Sequence, residues 1–105
     1  MTIYEFKTTI ESTGLPCAYY AFRTDNAPPL PFITWFQTGS TNFPADNIVY
    51  HESPEISVEL YTETRDPDTE ATVEAVLTAA GLFFTKEIGF IEDENTYQIA
   101  YSLNL

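Results

Sequence analysis

Between Glu55 and Gly81 the spacing of apolar side chains changes period once. Ile56, Val58, Leu60 and Thr62 alternate with Glu55, Ser57, Glu59, Tyr61 and Glu63, the period of two that gives a strand one buried and one wet face. Val73, Val76, Leu77 and Ala80 then fall at i, i+3, i+4 and i+7, the stripe of an amphipathic helix. Asp66 can cap that helix, Pro67 suits its first position, and Asp68 and Glu70 complement its positive end. Gly81 can take the left-handed conformation that ends it. A strand therefore leads through a tight turn into a helix, each with one apolar side. The two are expected to pack on each other, burying Ile56, Val58, Leu60, Val73, Val76 and Leu77.

The flanking sequence adds five elements and a possible sixth. Residues 2–13 predict a helix: Thr2 and Glu5 match a capping box, Ile3, Phe6 and Ile10 form its stripe, and Gly14 and Pro16 stop it. Residues 18–22 read as a strand, and 23–31, with three prolines and no period, as a loop that Pro28 and Pro29 stiffen. Residues 32–37 are nearly all β-branched or aromatic and predict a second strand. From 38 to 54 the turn formers Gly39, Ser40 and Asn42 predict an irregular connection. Within it 47–52 could form a short strand at the rim, between Pro44 and Pro54. Residues 83–91 and 96–105, joined by the polar turn 92–95, predict a hairpin. The expected fold is a single α+β domain in the order α-β-β-(β)-β-α-β-β, an antiparallel sheet with both helices on one face.

Composition narrows the function. The 105 residues suffice for one domain, and 44% apolar with 15% aromatic content supports a packed core. Sixteen acids face four bases, a formal charge of −12. That field repels phosphate backbones and anionic membrane surfaces, so sequence-reading of nucleic acid is not expected. No apolar run approaches the length of a membrane span. Met1 precedes a capped helix and not a basic, then apolar, leader, so no signal peptide is expected. Cys17 is the only cysteine; it can form no internal disulfide, which suits a protein made in a cytosol.

Little in the chain promises catalysis. His51 is the only histidine, and no residue can be named to orient it. Cys17 follows Pro16 at the start of a strand, where a small buried thiol is the commoner outcome. One Cys and one His make no zinc set. Glu92, Asp93, Glu94 and Asn95 lack the spacing of a calcium loop. The row Glu55, Glu59 and Glu63 raises the possibility of paired acids for glycoside hydrolysis, although a solvated strand face accounts for it more simply. The four glycines are isolated, so no phosphate-binding loop is present. The expectation is a non-enzyme without a cofactor or metal that works through its surface.

Four segments in order carry a family resemblance: Thr2–Lys7 with Glu11–Pro16, Ala27–Phe32, Asn42–Tyr50 and Val58–Pro67. Together they resemble the small tail completion, or tail-to-head joining, proteins encoded in the head–tail gene block of siphophages and prophages of Gram-positive bacteria. The resemblance covers nearly the whole chain. It implies a structural virion protein of the neck, made in the host cytoplasm, that forms a ring, often a hexamer. The ring would cap the tail tube and dock it to the head connector, with DNA passing through. It implies no catalytic residues.

The long segments 23–31 and 38–54 are the expected partner contacts. Pro28, Pro29, Phe43, Asp46 and Tyr50, with Glu55, Glu59 and Glu63, are the candidate interface residues. The acidic row would suit a lumen through which a polyanion slides. The residues alone also allow a small cytosolic binding or regulatory module that dimerises and takes a peptide or small ligand.

Overall fold

The computed structural model describes residues 1–23, 27–45 and 49–105, and for 42–45 and 49–52 it describes the backbone. Helix α1 (Ile3–Glu11) begins with the expected capping box: the Thr2 hydroxyl accepts from the Glu5 amide and the Glu5 carboxylate accepts from the Thr2 amide. Gly14 follows at φ +80°, a conformation only glycine adopts without strain. Helix α2 (Pro67–Ala79) has Asp66 as its cap and Pro67 in its first turn, and Gly81 follows at φ +75°.

Five strands form one sheet: β1 (Cys17–Tyr19), β2 (Phe32–Ala45), β3 (Val49–Thr62), β4 (Phe84–Ile91) and β5 (Thr96–Asn104), in the spatial order β1-β2-β3-β5-β4. All neighbours are antiparallel except β1, which runs parallel to β2. The 18–22 strand is shorter than expected because Tyr20 turns to φ +72° and leaves the ladder.

The largest difference lies in 38–45 and 49–54, which continue β2 and β3 instead of interrupting them; residues 46–48 lie outside the described residues. β2 and β3 pair from Phe32↔Tyr61 to Ala45↔Val49, with one irregularity between Gln37 and Gly39. β5 reaches β3 only from Glu55 onward, so the far part of the β2–β3 hairpin is a two-stranded ribbon standing beyond the sheet. Cross-strand pairing has overridden the local turn signals of Gly39 and Asn42, and the bulge near Gly39 absorbs the mismatch.

Both helices pack on one face. Phe6 and Ile10 of α1 and Val73 and Leu77 of α2 meet Ile33, Trp35, Ile56, Val58, Leu60, Ile99, Tyr101 and Leu103, all buried. Val76, expected in this core, is only half-buried, because it lies with Thr8, Thr9 and Ser12 in the shallow seam between the helices. Among the described residues Thr62 Oγ1 is buried without a hydrogen-bond partner. Thr62→Val keeps the shape and removes an orphaned hydroxyl, so it is expected to stabilise the fold by about 1 kcal/mol. Urea unfolding at unchanged slope would show this as a higher midpoint.

A polar cluster missed by the sequence reading ties α2 to the sheet. The Glu70 carboxylate is buried and accepts from Arg65 Nε at 3.1 Å and Nη2 at 3.3 Å, and pairs with Lys86 Nζ at 2.8 Å. Lys86 also reaches Glu74 at 2.9 Å, which accepts the Tyr101 hydroxyl at 2.8 Å. Burial alone would raise the Glu70 pKa, but the hydrogen bonds and charges of Arg65 and Lys86 outweigh it and hold the carboxyl below its usual range. Glu70, expected from sequence to complement the positive end of the helix, is thus the buried centre of a partly exposed ion cluster.

Candidate interaction surface

The sheet face turned away from the helices carries the features of a contact surface. Strand alternation puts Phe32, Thr34 and Phe36 of β2 there, with Ser57, Glu59 and Tyr61 of β3 and Gln98 and Ala100 of β5. Aromatic rings cross it in series. Phe22 packs edge-on to Phe32 at 5.1 Å, Phe32 meets Tyr61 at 5.3 Å, and Tyr20 meets Phe36 at 5.2 Å. Such pairs add attraction beyond the area they bury. Where β2 begins and the β4–β5 turn lies, these rings enclose an open cavity of about 450 Å³, whose walls include Tyr20, Phe22, Leu30, Phe32, Tyr61 and Ile91. Thr34, at its floor, is 5% exposed.

The polar groups here are fixed in place. The Tyr61 hydroxyl donates to Glu59 at 2.7 Å and accepts from Gln98 Nε2 at 3.1 Å. Burial, with the neighbouring Glu59 carboxylate, pushes the Tyr61 pKa up to about 12. The phenol is therefore a neutral, oriented wall and not a titrating group.

The candidate residues separate into distinct places. Pro28 and Pro29 lie beside the cavity wall in the segment before β2, Pro29 exposed. Phe43 and Tyr50 belong to the ribbon, in β2 and β3; Asp46 lies outside the described residues. Glu55 accepts from the Thr41 hydroxyl at 2.7 Å, and Glu63 is exposed past the end of β3. Glu55 and Glu59 are four residues apart on one strand, roughly 13 Å along it. That is too far for the paired acids of a glycosidase, so the row does not supply such a pair.

Cys17 and His51 are not brought together either. Cys17 pairs in register with Ile33 and His51 with Phe43, ten positions along β2 and roughly 30 Å of strand. Burial raises the Cys17 pKa, the reverse of what an attacking thiolate needs. Among the described residues no three His, Cys, Asp or Glu gather as a metal site, and no helix is long and apolar enough to cross a membrane.

The aromatic face was legible in part. Phe32 and Phe36 alternate with Ile33 and Trp35 in a strand that is nearly all β-branched or aromatic. What local sequence does not encode is that Tyr61 stands opposite Phe32 and that the segment after β1 folds back over both.

No protein-family model matches the chain, and no curated protein matches it. Among solved structures, it is similar to a chain in the structure described as the virion of native gene transfer agent (GTA) particle. The TM-score is 0.61 at 13% identity, over 91% of this chain and 81% of that one. The two share a fold.

Proposed function

We propose that this protein is a structural virion component, a tail completion protein that joins tail to head. It would assemble as a ring at the head-proximal end of the tail and dock that end to the head connector. The observation that carries the reading is a fold shared, over 91% of the chain, with a chain of a virion particle. The segments resembling siphophage tail completion proteins point the same way.

The surface supports self-assembly of a closing kind. Large exposed apolar side chains stand at opposite margins of the sheet: Phe83, Ile88 and Phe90 at and just before β4, Tyr4 and Tyr19 on α1 and β1. The two margins are chemically unlike each other. Dissimilar patches join head to tail, the heterologous contact from which rings are built. Glu55, Glu59 and Glu63 would then face the DNA path and keep the polyanion sliding.

At −12 the subunits repel one another. The screening length falls from about 10 Å at 0.1 M salt to about 3 Å at 1 M. Light scattering on the isolated protein is therefore expected to show a mass that rises with salt toward a closed multiple. A monomer at every salt concentration would overturn the ring, and a salt-independent dimer would favour a dimerising binding module instead. In a density map of the assembled neck, glutamates turned away from the channel would refute the lining while leaving the ring intact.

A further inference from the structure

We propose that the aromatic cavity on the open sheet face is the docking site for a basic, apolar segment of a different protein: an aromatic or branched aliphatic side chain flanked by Lys or Arg. The cavity is preformed. Phe22, Phe32 and Tyr61 brace one another through ring contacts. The Tyr61 hydroxyl is held between Glu59 and Gln98, so its ring cannot swing in to fill the space. A preorganised pocket loses little entropy when an anchor enters.

The mouth of the cavity carries backbone strain. Tyr20 sits at φ +72°, and the Ala21 amide donates to the Tyr19 carbonyl at 2.9 Å across it. This tight three-residue turn is unfavourable for a bulky side chain. It leaves the Tyr20 ring 70% exposed at the rim, where it costs solvation and strain together. Aromatic side chains so placed are the usual anchors of interfaces.

Charge selects the occupant. Glu94 belongs to the wall, Glu92 and Asp93 precede it in the same turn, and among the described residues no cation lines the cavity. Of the four cations of the chain, Arg65 and Lys86 are committed to Glu70 and Glu74, and Lys7 pairs with Glu11 on α1; Arg23, exposed just past Phe22, is one base against the three acids of the turn. A second copy would bring acid against acid. A segment bearing Lys or Arg brings the opposite sign and is steered toward the site. That this partner is another virion protein rests on the assembly reading above; the chemistry of the cavity does not.

The test uses two amidated tetrapeptides, Lys-Leu-Phe-Arg and Glu-Leu-Phe-Glu, titrated to millimolar concentration into the ¹⁵N-labelled full chain at low salt. The basic peptide is expected to shift the amides of Tyr20, Phe22, Leu30 and Ile91. Its affinity should fall about tenfold for the acidic peptide, the order expected of opposed charge. Leu30→Asp and Glu94→Lys, each checked for a native spectrum, should weaken it further. Equal binding of both peptides, shifts elsewhere, or none at millimolar peptide would overturn the proposal. Light scattering of Leu30→Asp separates it from the ring reading. Unchanged salt-driven assembly with lost peptide binding supports a site for a foreign partner. Lost assembly would make the cavity a self-contact and overturn the proposal. Peptide binding by a chain that never assembles would keep the docking site and remove the ring. Assembly without peptide binding by the unaltered chain would do the reverse.

Discussion

Leu60→Ala is expected to lower the stability of the fold by roughly 3–5 kcal/mol. Leu60 is fully buried at the centre of the sheet, in register with Ile33 on one side and Ile99 on the other, both also fully buried. Above it stand Phe6, Ile10, Val73 and Leu77 of the two helices. The removed methyl groups lose their transfer free energy, and a cavity remains because neighbours on three strands cannot close in together. Domains of this size have about 5–15 kcal/mol of stability to lose, so the midpoint of thermal unfolding should fall by more than about 12 °C. Phe83→Ala is the control. Phe83 is 94% exposed, and its loss should change the stability of the monomer by less than about 0.5 kcal/mol. A Leu60 variant no less stable than the Phe83 variant would mean that this core is not what holds the sheet to its helices.

Local signals with one interpretation survived into the structure. Thr2 with Glu5, Asp66 with Pro67, and the glycines at 14 and 81 each satisfy a backbone need that arises within a few residues, so they mark both helices correctly. The strict alternation of 55–62 survived because one face meets the helices. The irregular connection expected over 38–54 did not survive, while the short strand expected at 47–52 is present over 49–52 as the start of β3. Gly39, Asn42, Pro44 and Pro54 all disfavour strands locally, yet the partner strand supplies hydrogen bonds along nearly the whole segment. The partner of β1 was equally invisible, since a parallel neighbour leaves no trace in the turn between two strands. The candidate surface shows the same division. Glu59 was placed on the correct face by its period, but its hydrogen bond to Tyr61 and the aromatic cavity beside it come from segments distant in the chain. Lys86 did leave a sign: it interrupts Phe84, Ile88 and Phe90 on one strand face. A cation on the helix-facing side of a strand asks for buried acids, and Glu70 and Glu74, one helical turn apart, are those acids.

The second large effect follows from that cluster. Lys86→Met is expected to cost roughly 2–4 kcal/mol at neutral pH, because a buried carboxylate then keeps only part of its compensation. Arg65 remains on Glu70, but its side chain is 42% exposed, and Glu70 and Glu74 are left facing each other without the cation that joined them. The pH dependence identifies the cause. In the natural protein Arg65 and Lys86 hold the Glu70 pKa below its unfolded value despite burial. Its contribution to stability is therefore present above the usual carboxylate range, about pH 4–5, and lost as pH falls through the folded value. Without Lys86, burial gains on the remaining partner and the Glu70 pKa rises, so the variant should recover relative stability as the carboxyl protonates. The gap between the two proteins should narrow from pH 7 toward pH 4. At the alkaline end, the hydrogen bonds that Lys86 donates to Glu70 and then Glu74 raise its pKa above its ordinary 10.5. The stability it supplies is complete below that value and disappears as pH climbs through the folded one. Burial, with Glu74 beside it, also raises the Tyr101 pKa, which adds a loss of the same sign above about pH 10. Urea unfolding of both proteins from pH 4 to 11 measures all of this. A gap that stays constant across the range would show that Lys86 acts through packing of its methylene chain and not through its charge.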